Sequence, residues 1–284
     1  SIASERGAAI RTEDNASVNI AGGTLKGAES TGALQEYGSD NNSTITVTGG
    51  TFSSNVDTYI PSGLTIQNNG DGTFTVKRMD IVFLDGGAGD DGNSGADAAS
   101  AVKTLDEALT RVADGGTIVI TGPVSVSNAG KVDLSGVTVK RDESYTGNLF
   151  NVTGTTVLNL SNVTIDGNSV EGTVGELIML GSGAVLNIGD GAQLINNLAS
   201  AVYMYDSTLN LNGGSIKNNT TEDDGGGIFA DCGTVNLNSG EISGNSAAGV
   251  GGGICILCGT ATLDGAEIKG NEAFRGGGVY VEGQ

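Results

Sequence analysis

A repeat of about 25 residues constrains the fold of this chain more than any other feature. Glycine-rich turns followed by an apolar residue recur at 225–228, 251–254 and 276–279, as Gly-Gly-Gly-Ile or Gly-Gly-Gly-Val. Ile178 and Val202 extend this apolar column upstream, and its successive steps are 24, 26, 26 and 25 residues. Such a period is typical of solenoids, in which each repeat contacts only its neighbours.

Two further apolar columns follow the same period. One column lies mostly in an apolar-Asn-apolar element and consists of Leu160, Ile188, Leu211, Leu237 and Leu263. The other opens an apolar-x-x-Asn element and consists of Ile165, Leu194, Ile216, Ile242 and Ile268. Three strands per repeat predict an all-β fold: a right-handed parallel β-helix with three faces and about 25 residues per coil. A short capping α-helix is expected in addition. Asparagines in equivalent turns are expected to bond from coil to coil.

The composition agrees with many short strands joined by tight turns. The 284 residues include 49 glycines, two prolines and no tryptophan. The formal net charge is −20, and no basic stripe exists that could neutralise phosphates, so we expect no nucleic-acid partner. Membrane insertion is not expected either, because no stretch approaches the roughly 20 apolar residues of a membrane helix.

Four segments are expected along the chain. Residues 1–55 carry the coil pattern. Residues 56–79 lack it and instead carry the pattern of a hairpin, which suits a C-terminal cap or linker. Residues 80–121 suit an N-terminal cap, and residues 122–284 form coils that are open at the C-terminus. Two coils are too few to be stable alone. Residues 1–55 therefore stack on the later coils, on another chain or on a missing module.

A short helix is predicted inside the N-terminal cap. Apolar residues between 102 and 112 recur at spacings of 3, 4 and 3 residues, which is a helical period. Thr104 and Glu107 fit a capping box, and Gly115 suits the end of a helix. The helix is accordingly expected near residues 104–113, where it would cover the open end of the core.

These motifs resemble those of known β-helical families. The Gly-Gly-Gly-Ile turns and the Ile-Ser-Gly-Asn element at 242–245 are similar to the paired repeats of polymorphic outer-membrane proteins, which are surface adhesins. The block from Asp85 to Ile118 resembles the entry segment of pectate-lyase-like β-helix proteins. Residues 69–76 resemble the end piece of large secreted proteins of Gram-positive gut bacteria. The resemblance covers most of the chain and implies a secreted or cell-surface bacterial protein.

Two functions are compatible with this resemblance. We expect a fragment of a larger extracellular protein that is not an enzyme and mediates adhesion by binding a host protein, a glycan or sister subunits. The alternative is a fragment of a carbohydrate-active β-helix enzyme, either a polysaccharide lyase or a glycosidase. The chain contains no histidine, which excludes a histidine-dependent polygalacturonase mechanism. No face visibly gathers paired carboxylates, which also disfavours catalysis.

An outward stripe is the first candidate binding site. If the turn-following column points inward, the next residue of each coil points outward, and so does the residue two positions further on. This reasoning predicts a partner-binding stripe of Met179, Tyr203, Tyr205, Phe229, Leu257 and Tyr280. Exposed aromatic residues often mark interaction surfaces. The alternative is that these side chains stack on one another along the sheet.

An oxygen-rich loop is the second candidate site. Asp85, Asp90, Asp91, Asn93 and Asp97 are chemically suited to Ca²⁺, although their spacing is not that of an EF-hand. The alternative is a solvated loop, because Asp and Gly also serve turns. Residues 222–224 (Glu-Asp-Asp) share this ambiguity. No other cofactor is expected.

The three cysteines are Cys232, Cys255 and Cys258. Cys232 follows Ile228 by four residues, and Cys258 follows Ile254 by four, so both are expected to point inward on adjacent coils. Cys255 falls in the outward column. Free buried thiols and a disulfide between stacked strands both fit this arrangement. No metal site is expected from a single C-x-x-C without histidine.

Overall fold

The computed structural model describes residues 1–37, 43–61, 63–127 and 130–282. The chain is an all-β solenoid of stacked parallel coils with one short α-helix, as the repeat predicts. Its internal contacts divide it into two compact units. The first comprises residues 1–80 and 110–113, and the second comprises residues 81–109 and 114–284.

Two coils of short strands and a hairpin make up the first unit. Its strands are β1 (Ile2–Ala3), β2 (Ile10–Glu13), β3 (Ser17–Ile20), β4 (Thr24–Lys26), β5 (Leu34–Tyr37), β6 (Thr44–Val47), β7 (Gly50–Phe52), β8 (Leu64–Asn68) and β9 (Phe74–Asp85). Three parallel sets, β1–β4–β7, β2–β5 and β3–β6, form the faces of the coils. A single 3₁₀ turn at Asp57–Tyr59 precedes the hairpin.

The hairpin signal at 56–79 corresponds to β8 and β9. These strands pair antiparallel, and β9 also pairs antiparallel with β7 of the last coil. Val76 contributes to the buried core of the unit, which also includes Leu25, Val47 and Phe52. Because β9 continues without a break to Asp85, the division between the two units falls within a strand.

The second unit contains the longer run of coils and residues 105–109 of the helix, whose last two residues belong to the first unit. Helix α1 spans Leu105–Arg111, and a 3₁₀ turn spans Ala98–Ser100. The strands are β10 (Val112–Gly122), β11 (Val124–Ser127), β12 (Lys131–Ser135), β13 (Thr138–Arg141), β14 (Phe150–Thr153), β15 (Val157–Ser161), β16 (Thr164–Asp166), β17 (Ile178–Leu180), β18 (Val185–Gly189), β19 (Gln193–Ile195), β20 (Val202–Lys217), β21 (Thr220–Thr221), β22 (Ile228–Ser243), β23 (Ser246–Val250), β24 (Ile254–Leu263), β25 (Glu267–Lys269), β26 (Glu272–Arg275) and β27 (Val279–Val281).

The first face of this unit, face A, confirms the predicted stacking. It consists of β11, β14, β17, the first residues of β20, β22 and β24, and β27, all paired in parallel. Ile178 lies opposite Val202, Val202 opposite Ile228, Ile228 opposite Ile254 and Ile254 opposite Val279. The first four of these side chains are fully buried. Burial of each contributes roughly 1.5–3 kcal/mol, which one coil alone could not provide.

The other two predicted columns also form parallel ladders. Face B aligns Leu160, Ile188, Leu211 and Leu237, and face C aligns the apolar residues of the apolar-x-x-Asn elements. Leu263 continues the face B column but is 56% exposed. A smaller parallel sheet of β21, β23 and β26 is made by the segments that follow face C. No helix in the described residues is long and apolar enough to cross a membrane.

Helix α1 lies where the helical period predicts it. Glu107 N donates to Thr104 Oγ1 at 3.2 Å, so Thr104 caps the first turn. The expectation that Gly115 ends the helix is wrong, because the helix ends at Arg111 and β10 begins at once with the buried Val112. Gly115, with φ of +74°, instead donates its amide to Gly136 O of the next coil.

A buried asparagine ladder connects the coils beside face C. Asn197, Asn219 and Asn245 are buried, and Asn271 continues the ladder. The Oδ1 atom of each asparagine after the first accepts the backbone amide of the ladder asparagine one coil earlier, at 2.9–3.0 Å. Its Nδ2 atom donates to a backbone carbonyl of that same earlier coil. The ladder confirms the expected coil-to-coil bonding, and it satisfies polar groups that would otherwise be unpaired in the core.

Arg141 lies at the lower end of this ladder. Its side chain is fully buried, and its guanidinium donates to Gly147 O, to Gly175 O and to Asn197 Oδ1. Burial lowers the pKa of Arg141 to about 10, so the side chain remains charged at neutral pH. The repeat pattern gave no indication of this charge inside the solenoid.

The triple-glycine turns leave no room for a side chain. Gly225 has a φ of +69°, which other residues rarely adopt. A Cβ on Gly226 would lie 2.4 Å from Ser246 O and 2.6 Å from Gly252 O. Glycine is therefore required here because successive coils pass close to one another.

Candidate functional site

A cleft of about 440 Å³ in the second unit is the strongest candidate site. Its floor is the outward side of face A, and its walls are the segments that precede β17, β20 and β22. The residues that line it are Thr173, Val174, Glu176, Leu198, Ala199, Ser200, Tyr203, Thr221, Glu222, Asp223, Asp224 and Phe229. Three successive coils thus build one concave surface.

The floor is a pair of stacked aromatic rings. Tyr203 and Phe229 lie directly opposite each other on neighbouring strands, with ring centroids 5.5 Å apart and an interplanar angle of 21°. Each ring therefore hides one face of the other. The strand register places Met179 beside Tyr203 and Cys255 beside Phe229. Both stacked residues line the cleft.

The remaining residues of the predicted stripe do not line the cleft. Met179 and Tyr205 are exposed, at 37% and 51%. Leu257 and Tyr280 are half-buried. The structure therefore aligns the predicted column but brings only two of its six proposed binding residues into the concave surface.

Cys255 departs from the expectation for the outward column. Its side chain is fully buried, and burial raises the pKa of its thiol to about 11. The preceding glycine turn covers it, since a Cβ on Gly251 would lie 2.7 Å from Cys255 Cα. The period-2 alternation of a strand predicts the side of the sheet on which a side chain lies, but not whether a loop buries that side chain.

The Tyr203 hydroxyl connects the floor to a carboxylate. It lies 3.4 Å from Asp231 Oδ2, to which it donates. Partial burial and the negative charge of Asp231 raise the pKa of Tyr203. The hydroxyl therefore stays protonated at neutral pH and fixes the orientation of the ring.

Four carboxylates form the walls of the cleft. Glu176 stands on one wall, and Glu222, Asp223 and Asp224 stand on the other. Burial raises the pKa of Glu176, and this effect is partly offset by the charge of Arg141. None of the described lining residues is a lysine or an arginine. The cleft consequently presents negative charge that no basic lining residue balances.

The sequence had indicated residues 222–224 only as an ambiguous acidic run, and it gave no signal for Glu176 or Val174. Both of these residues lie in the segment before β17, which varies between coils and breaks the period. Val174 is 80% exposed. The exposure of Val174 and the partial burial of Glu176 depend on how the coils stack, so the sequence alone does not indicate them.

The oxygen-rich loop uses its carboxylates to hold its own turns. Asp85 Oδ1 accepts the amides of Gly87 and Ala88, and Asp90 Oδ1 accepts the amide of Gly92. Asp91 accepts the amides of Lys103 and Thr104. Asn93 Nδ2 donates to Ala101 O. Asp97 accepts the amide of Ser100 and so caps the 3₁₀ turn. These contacts are those of the solvated-turn alternative.

Among the described residues, one group of three potential metal ligands lies within 4.8 Å, and it is not in this loop. It consists of Asp231, Cys232 and Cys258. Cys232 and Cys258 form a disulfide between adjacent coils, with Cα atoms 4.3 Å apart. Their sulfurs are therefore bonded to each other rather than available to an ion.

Of the two alternatives for Cys232 and Cys258, free thiols or a bridge between stacked strands, the structure shows the bridge. The expectation that both side chains point inward is wrong. Both cysteines are half-buried. The pairing of β22 with β24 shifts between Ala230 and Asp231, so that Asp231 rather than Cys232 lies opposite Cys258. Cys232 also has a φ of +87°. A fixed offset from the buried isoleucine therefore does not determine where these side chains point.

Removal of the disulfide should destabilise the second unit. Replacing Cys232 and Cys258 together by alanine is expected to lower the free energy of unfolding by about 2–3 kcal/mol, since the bridge closes a long loop between coils. Urea unfolding followed by circular dichroism measures this change. A dithiol reductant should weaken the wild type to the same extent and leave the variant unchanged. An equal effect of reductant on both proteins would contradict the prediction.

Comparison with known proteins returned no matching family model, no matching curated protein and no matching solved structure.

Proposed function

We propose that this chain is a non-catalytic binding module of a bacterial surface protein, and that its partner occupies the cleft over face A. The observation that carries this proposal is the concave surface made by three coils, with two aromatic residues as its floor and carboxylates in its walls. Pockets with apolar contact area and a few convergent polar groups are the usual ligand sites of proteins. The extracellular location and the adhesive role come from the sequence resemblance.

The rigidity of the surroundings supports a binding role. Tyr203 is held by the Phe229 ring and by Asp231, and Asp224 Oδ1 accepts the amide of Val250 at 2.7 Å. The floor and the wall that carries Asp224 are therefore attached to neighbouring strands. A preformed site loses less conformational entropy when a partner binds.

Alanine at Phe229 should weaken partner binding at least tenfold, because the side chain supplies apolar contact area in the floor of the cleft. Immobilised mammalian glycans and extracellular host proteins would be screened with the wild type, and each hit titrated with both proteins. Tyr205→Ala is the matched control, since Tyr205 is an exposed aromatic residue of the same face that does not line the cleft.

Equal loss of affinity in Tyr205→Ala, or unchanged affinity in Phe229→Ala, would argue against the cleft as the binding site. The same titrations test a second candidate, a carbohydrate-active enzyme. The direction of the Glu176 pKa shift favours that candidate, because the acid of a glycosidase has a pKa that its surroundings raise. Cleavage products among the glycan ligands, detected by mass spectrometry, would replace the binding proposal with this one.

A further inference from the structure

We infer that the occupant of the cleft is a basic protein segment that inserts an arginine or lysine side chain between its acidic walls. This inference deepens the proposed binding function and rests on it. It commits to the chemistry of the partner: a cationic head group on a long aliphatic stem.

Charge complementarity is the first argument. Glu176 and the acidic run 222–224 all line the cleft, and no described lining residue carries positive charge. The carboxylate of Glu176 is half-buried and pays a desolvation penalty that a cation in the cleft would offset. Acidic partners such as pectate or anionic glycans would instead be repelled, by these groups and by the chain charge of −20.

The shape of the site is the second argument. The cleft of about 440 Å³ has room for one or two long side chains and little more. Val174, Leu198 and Ala199 supply apolar contacts beside the carboxylates. Lysine and arginine match such a mixed surface, because their methylene stems pack on apolar groups while the charged ends reach polar ones.

The aromatic floor favours a basic side chain over a sugar. A pyranose ring usually binds against an open aromatic face, whereas Tyr203 and Phe229 each cover one face of the other ring. An aliphatic stem needs only apolar contact from these rings. The arginine fork can also bond two carboxylate oxygens at once.

A direct test uses a fluorescein-labelled Gly-Ser-Arg-Arg-Ser-Gly peptide, and the same peptide with citrulline in place of both arginines. Fluorescence anisotropy at 0.15 M salt should show at least tenfold tighter binding of the arginine peptide to the whole chain. The double variant Glu222→Gln with Asp223→Asn should lose at least tenfold in affinity. Both side chains are exposed, so their replacement preserves the fold.

The control variant is Asp114→Asn with Asp264→Asn, which makes the same change in net charge at exposed positions outside the cleft. It should change affinity by less than twofold, because charges farther than about 8 Å are screened at this salt concentration. Equal loss in the control, or equal binding of the citrulline peptide, would overturn the inference.

The outcome also separates this inference from the proposed function. A neutral glycan or peptide that needs Phe229 but tolerates the Glu222 and Asp223 replacements would overturn the basic-segment inference and leave a binding module. If the arginine peptide and every screened ligand bind the wild type and Phe229→Ala alike, both proposals fail.

Discussion

Replacing Arg141 by alanine lowers the free energy of unfolding of the second unit by about 4 kcal/mol. The guanidinium is fully buried and donates to three acceptors: Gly147 O, Gly175 O and Asn197 Oδ1. Alanine removes the donor to Gly147 O and Asn197 Oδ1, whereas Gly175 O keeps its bond from Asn197 Nδ2, and it opens a cavity the size of a long side chain. Both effects destabilise the folded state, and the first also disrupts the lower end of the asparagine ladder.

Denaturant unfolding followed by circular dichroism measures this loss. The neighbouring Lys140→Ala is the control, since Lys140 belongs to the same strand but is only half-buried, and we expect a change below about 0.5 kcal/mol. If Arg141→Ala costs less than about 1 kcal/mol, the buried guanidinium does not hold the coils together as described.

Replacing Gly226 by alanine is expected to cost about 3 kcal/mol or more, an overpacking penalty at the upper end of the usual range. The added methyl group would lie 2.4 Å from Ser246 O and 2.6 Å from Gly252 O. Both are backbone atoms of the next coil, so relief requires the coils to separate. A lower unfolding midpoint in urea with an unchanged slope would report this loss.

Gly181→Ala is the matched control for that experiment. The nearest atom to its added Cβ is Thr153 Cγ2 at 3.4 Å, an ordinary contact with a side chain. We expect a change within about 0.5 kcal/mol of wild type. Similar losses at both glycines would mean that contact between coils does not determine the effect, because the change in backbone entropy alone favours the folded state of an alanine variant.

The sequence predicts the coils because each coil buries apolar residues at the same positions, so these residues recur with the period of the coil. Ile228 and Ile254 are 26 residues apart and pair directly, since an inward apolar residue is stable only above and below others of its kind. The asparagine ladder obeys the same rule. Arg141 breaks it, because a single buried charge occurs once and leaves no repeated signal.

The cleft could be predicted only in part. Tyr203 and Phe229 belong to a periodic column, so their alignment follows from the repeat. Glu176 and Val174 come from a segment that differs in length from its equivalents, and its path over face A depends on tertiary contacts. The cysteines show a related limit: a one-residue shift in pairing changed the direction of Cys232 and Cys258.

The asparagine ladder has a consequence for how such a chain can evolve. Each ladder asparagine after Asn197 accepts a backbone amide of the coil before it and donates to a backbone carbonyl of that coil. A duplicated stretch of one whole period therefore brings every donor and acceptor that it needs. Gene duplication can lengthen the solenoid in steps of one coil, whereas an insertion of a few residues inside a strand would leave two coils mismatched. Selection can thus vary the loops around the cleft while length changes by whole periods.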